Sequence, residues 1–195
     1  MPWWLKARRV PALLLPSYLV FLLLVLTFQD LVADVPAVLT GSENPVVAML
    51  LAPVPLYAAL LVCLETKLSA AEDTATRNVR MLDAVLALGT VAVAACTGLL
   101  IGTLADSPTA VTVGRNTAFL VGLMLCARPL AGAAAVMVPA AWQLAVMLFG
   151  FQQGHPSSWS VLPRAAGDPL ALAASLAALI AGVGLHLVTR PPHSS

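Results

Sequence analysis

Charged residues are scarce in this sequence, at 10% of its 195 positions, against roughly 25% in an average soluble domain. A soluble fold keeps a large exposed shell and could not hide the 60% of residues that are hydrophobic. Cysteine is nearly missing too. Cys63, Cys96 and Cys126 each lie in an apolar run, none at metal-ligand spacing, and they read as small buried hydrophobes. The three histidines, His155, His186 and His193, are too dispersed to suggest a metal cluster. There is no Walker motif, no nucleotide-binding glycine loop, no HExxH and no serine in a nucleophile elbow. No aspartate pair falls in an apolar run. These absences point away from an enzyme, from a resident cofactor or metal, and from unaided ATP use. A net charge of +1 gives no sign of a nucleic-acid partner.

Long apolar runs are what the sequence does have. A bilayer-crossing helix takes roughly 20 mainly apolar residues. Six such runs give an all-α, polytopic membrane protein, a single transmembrane domain over 1–195 with expected spans 10–28, 45–64, 84–104, 113–127, 130–151 and 170–188. The first follows Lys6, Arg8 and Arg9 as a signal peptide would. Phe28, Gln29 and Asp30 make a poor cleavage site, so a retained helix is expected. Trp3 and Trp4 suit an interface beside it. Pro53 and Pro55 predict a kink or unwound turn in the second run. The third holds Gly98 and Gly102, and the sixth Ala174, Ala178 and Gly182, small-residue faces that permit close helix packing. Arg128-Pro129 predicts the turn between the fourth and fifth runs, because proline discourages helix at the residue before it and arginine prefers the interface.

Cytoplasmic loops favour Lys and Arg. With the N-terminus inside, Lys6, Arg8, Arg9, Lys67, Arg77, Arg80, Arg128 and Arg190 all fall on the cytoplasmic side, and only Arg115 and Arg164 fall outside. The first outer loop carries Asp30, Asp34 and Glu43 and no basic residue. Six spans with both termini cytoplasmic satisfy this distribution, and a bacterial plasma membrane is the expected location.

The most informative polar stretch runs from Glu65 to Asp83. Glu65, Lys67, Glu72, Asp73, Arg77 and Arg80 place opposite charges about one helical turn apart, with no Pro or Gly between them. A short helix at the cytoplasmic surface is expected, either a solvated connector or a docking element for a cytosolic partner. Arg115, Asn116, Trp142 and Gln143 are the polar candidates for a translocation path. The arginines are expected to snorkel to an interface. Gln143 needs a partner inside its helix, and another helix is the expected one. The outer segment from Phe151 to Pro169, with His155, Pro156, Trp159, Pro163 and Arg164, is expected to dip into the outer leaflet as a hairpin.

The layout resembles the membrane subunit of type-2 ABC exporters, in its actinobacterial form. The resemblance covers the whole chain. It rests on Trp3 to Arg9 as an amphipathic segment, Glu65 to Arg80 as a coupling helix and Phe151 to Pro169 as an outer hairpin. It also rests on Arg115-Asn116 with Gly122 and Leu123, then Pro139 and Trp142, then Phe149-Gly150. The short fourth helix departs from the pattern. The resemblance implies a separate cytosolic ATPase subunit, a homodimer or a second permease, and export of a lipid, peptide or drug. Two alternatives stand beside it: a substrate-binding membrane subunit of an energy-coupling-factor importer, and a non-transporting accessory subunit of a membrane complex.

Overall fold

The computed structural model describes residues 9–28, 32–36, 43–66, 79–152 and 155–189; side chains of 32–48 and of 152 are outside the description. The architecture is all-α, with two small hairpins. In chain order the elements are α1 (Val10–Phe28), β1 (Val32–Pro36), β2 (Glu43–Val47), a 3-10 turn at Ala48–Leu51, α2 (Val54–Glu65), α3 (Val79–Leu104), α4 (Pro108–Ala131), a 3-10 segment at Gly132–Val136, α5 (Met137–Phe149), the two-residue strands β3 (Phe151–Gln152) and β4 (His155–Pro156), and α6 (Pro169–Val188). β1 pairs antiparallel with β2, from Val32 opposite Val47 to Pro36 opposite Glu43. β3 pairs antiparallel with β4.

Among the described residues, four helical stretches are long and apolar enough to cross a membrane: Val10–Phe28, Val79–Leu104, Pro108–Phe149 and Pro169–Val188. The third has 42 residues. As one straight helix it would extend about 63 Å, twice the hydrocarbon thickness of about 30 Å. It does not run straight. The Phe119 and Trp142 rings lie 5.6 Å apart, which is possible only if α5 folds back antiparallel on α4. The reversal is made at Gly132, whose φ of +52° suits glycine and ends α4.

The expected turn at Arg128-Pro129 is therefore displaced. Both residues lie in the last turn of α4, which starts at Pro108 and reaches Ala131 rather than covering 113–127. Proline near a helix end removes one backbone hydrogen bond without stopping the chain. The second run also differs from its expected 45–64 span. Its first residues form β2 and the 3-10 turn, and α2 begins only at Val54, with Pro53 as N-cap and Pro55 in the first turn. Prolines are tolerated there because those N–H groups have no helical acceptor. The expected unwound turn is thus the start of a helix of 12 residues.

α4 is the central helix. Every residue from Val113 to Gly122 is buried, the pattern of a helix covered on all sides rather than along one stripe. α3 packs antiparallel on it through glycine. A Cβ on Gly98 would stand 2.6 Å from the Ala110 carbonyl oxygen, and one on Gly114 would stand 2.4 Å from Ala95 Cα. α6 runs parallel to α4 at equally close range: Gly122 faces the Ala178 backbone, and Gly182 faces the Gly122 carbonyl. Both small-residue faces seen in the sequence are thus consumed inside the molecule. α1 is peripheral. Phe21 and Val25 are its buried residues, clustered with Met49, Ala52, Leu56, Ile101 and Val113, while Leu15, Leu19 and Leu23 are exposed.

Candidate functional site

Among the described residues, three clusters of polar groups touch or face α4; a separate contact joins the Tyr18 and Thr97 hydroxyls at 2.7 Å between α1 and α3. The first is near the α4 start. Ser107 caps this helix, its hydroxyl accepting from the Ala110 N–H, with Pro108 at the first position. Two turns on, Arg115 is 8% exposed. Its Nη1 donates to the Ala165 carbonyl at 2.7 Å, and its Nη2 donates to those of Arg164 at 2.7 Å and Leu162 at 3.3 Å. Asn116 donates from Nδ2 to the Leu162 carbonyl at 3.1 Å. The irregular segment 157–168 between β4 and α6 is thereby tied to α4. A guanidinium supplies five donors in a fixed fork, and irregular backbone in an apolar setting needs donors from elsewhere.

Arg164 organises the same segment from within. It donates to the carbonyls of Ser158 and Ser160 and pairs with Asp168 at 3.0 Å. Asp168 is the N-cap of α6, accepting from the N–H groups of Leu170 and Ala171. Those donors hold its carboxyl below the ordinary value; the Ala171 N–H contributes most and the Arg164 guanidinium next.

The second place is the other end of the bundle. Arg128 donates from Nε to Glu65 Oε1 at 2.8 Å and from Nη2 to the Leu64 carbonyl at 2.7 Å. Its Nη1 lies 3.1 Å from His186 Nδ1. Arginine has no acceptor, so this imidazole nitrogen accepts. Arg80 reaches the Leu187 carbonyl at 3.4 Å. The ends of α2, α4 and α6 and the start of α3 therefore meet here, as an up-and-down arrangement requires. Arg115 and Arg128 are 13 positions apart, about 20 Å along the helix axis.

The third place joins the two short helices. The Tyr57 hydroxyl donates to Gln143 Oε1 at 2.7 Å, and Gln143 Nε2 donates to the Leu50 carbonyl at 2.6 Å. Gln143 thus has the helix-to-helix partner expected for it, and it also satisfies a carbonyl of the 3-10 turn before α2. Trp142 stands between Phe119 and Trp159, edge-on to the latter at 5.8 Å. Its buried indole N–H has no acceptor among the described residues.

The path candidates Arg115, Asn116 and Gln143 are thus gathered around α4 and engaged by the protein's own backbone and side chains. Arg115 is met by the carbonyls of 162–165. Of the residues expected to form a coupling helix, Glu65 and Arg80 belong to the meeting point of helix ends around Arg128, the lower node. Lys67, Glu72, Asp73 and Arg77 lie outside the described residues, as do Trp3 to Arg8. Within Phe151 to Pro169, β3 pairs with β4 and the arginine-tied segment follows. Cys63 is buried as expected, but Cys96 is exposed on α3. Among the described residues no group of His, Cys, Asp or Glu has the grouping of a metal site.

No protein-family model, curated protein or solved structure matches this chain. Its reading therefore rests on its own residues. Sequence reasoning missed Tyr57, His186 and Asp168. One of them left a signal: Asp168-Pro169, like Ser107-Pro108, is a polar cap followed by proline at the first helical position.

Proposed function

We propose that the chain is an integral membrane protein with six membrane-embedded helices, and that it serves as the permease subunit of an ABC-type transporter powered by a separate cytosolic ATPase. Apolar helices with exposed residues such as Leu19, Leu23, Leu176 and Ile180 suit contact with lipid. α2 and α5, with 12 and 13 residues, are each about 20 Å long. They are embedded as a short pair latched by Tyr57 and Gln143.

The observation that carries the transport reading is that one helix grips both ends of the bundle. The proposed coupling segment, Glu65 to Arg80, begins at the last residue of α2, and Arg128 of α4 holds that residue, Glu65. The same helix holds the far segment 157–168 through Arg115. A push on the coupling segment has a rigid route to the opposite face, because a helix carries displacement along its axis and buried cores resist deformation. ATP chemistry belongs to the partner, and this chain contributes the moving helices and a homodimeric or second-permease interface.

A second reading, the accessory subunit, is favoured by a different observation: Arg115, Asn116 and Gln143 each have hydrogen-bond partners within the chain rather than turned toward a substrate. The two readings separate on purification from native membranes in mild detergent with mass spectrometry of the co-eluting proteins. A stoichiometric soluble ATPase is expected for the permease. Membrane proteins alone, or none, would favour the accessory subunit.

A further inference from the structure

One face of α2 is only partly covered by the described residues, with Val62 exposed and Leu61 buried at its base. Ala58, Leu61, Val62, Glu65 and Thr66 recur at the spacing of one helical face, and with Ala133 and Val136 they line an open cleft of about 330 Å³. That volume is in the range of small-molecule sites. The walls are alkyl groups except at one end, where the Glu65 carboxylate stands 29% exposed. Only half of that carboxylate is occupied. Arg128 holds Oε1, and no described residue bonds Oε2. Thr66 donates its hydroxyl proton to the Val62 carbonyl, so its oxygen also presents acceptor capacity at the same end. Arg128 directs Nε, Nη1 and Nη2 to Glu65, His186 and Leu64.

We infer that this cleft binds a membrane phospholipid whose headgroup carries a primary ammonium, with part of an acyl chain along Ala58, Leu61, Val62 and Val136 and the ammonium on Glu65 Oε2. The choice of occupant follows from charge. The free acceptors at the rim suit a donor cation, and an anionic headgroup would meet the carboxylate. Location agrees: the cleft opens beside the meeting point of four helix ends, which is headgroup depth in the membrane arrangement proposed above. The inference rests on membrane embedding and is independent of any ATPase partner.

The test is native mass spectrometry of the full chain released from detergent micelles after incubation with equal amounts of phosphatidylethanolamine and phosphatidylglycerol. The wild-type chain is expected to retain the ethanolamine lipid over the glycerol lipid by about tenfold. Glu65→Gln removes the carboxylate charge, and the preference is expected to vanish while lipid is still retained. Ala133→Trp fills the cleft without touching the ion pair and is expected to abolish retention of both lipids. Because Glu65→Gln also weakens the Arg128 contact and can unfold the lower node, Ala133→Trp is the deciding variant. Equal retention of the two lipids by the wild type, a preference for the glycerol lipid, or undiminished retention by Ala133→Trp overturns the site. Extraction of the chain from native membranes into buffer without detergent would instead overturn membrane embedding.

Discussion

The guanidinium of Arg115 donates to the backbone carbonyl of Arg164 at 2.7 Å, across 49 positions of sequence. A charged side chain in the most buried helix thus serves as the donor set for a stretch of chain that has no regular structure. Replacing Arg115 by Met removes the donor of the Arg164 carbonyl and takes one donor each from Leu162 and Ala165, which keep the Asn116 amide and the Asp168 N–H. A carbonyl left unmet in a buried setting costs about 1–3 kcal/mol. The expected loss is about 3 kcal/mol of stability, read by thermal unfolding in detergent. Arg115→Lys is expected to recover little of it, because an ammonium cannot span several carbonyls in one plane.

Glycine substitutions should divide sharply. Gly122→Val and Gly182→Val place side-chain atoms where backbone of the opposite helix already lies within 2.6 Å of an ideal Cβ. Both are expected to part α4 from α6 and to lower the yield of folded protein severely. Gly89→Ala on α3 has nothing within 4 Å. It should be neutral or raise stability by up to about 1 kcal/mol through helix propensity. Size-exclusion profiles and thermal unfolding of the set compare the two classes.

The latch between α2 and α5 makes a narrower prediction. Tyr57→Phe keeps the ring in place and removes the donor to Gln143. The expected cost is about 1–2 kcal/mol, measurable in the same unfolding assay. Tyr57→Phe combined with Gln143→Leu should cost less than the sum of the two single changes, because the paired groups are then both removed.

Asp168 gives a pH dependence of known sign. Its folded-state carboxyl titrates below the ordinary value of 3.8. The native state therefore binds fewer protons than the unfolded one in that window, and stability rises with pH there. The contribution is fully present above the unfolded value, near pH 4, and is lost as pH falls through the lower folded value. Asp168→Asn retains a capping oxygen and removes the charge. The variant should show a flatter decline in stability than the wild type between about pH 4 and pH 2.

Much of the helical architecture was readable because bilayer-length apolar runs signal themselves. The α1, α3 and α6 spans expected at 10–28, 84–104 and 170–188 lie on or inside the helices found. The α2 and α4 boundaries were not readable, for physical reasons. Pro53 and Pro55 read as a kink from composition, but proline is compatible with both a kink and a helix start, and only the β2 pairing upstream decides. Arg128-Pro129 read as a turn, whereas the glycine with positive φ lies three residues further on. The polar groups were visible as candidates, but their partners were not. Arg115 and Leu162, or Arg128 and His186, are joined by tertiary packing between segments far apart in sequence, which no local spacing encodes.

The central claim is that the stretch following Glu65 docks on a cytosolic ATPase. The most direct measurement is site-specific photocrosslinking in native membranes from a probe placed at Asp73, with the adduct identified by mass spectrometry. The account predicts an adduct with a soluble ATPase, lost when Glu72, Asp73, Arg77 and Arg80 are charge-reversed with the probe moved to Thr74. Adducts confined to membrane proteins, or none above background, would contradict it.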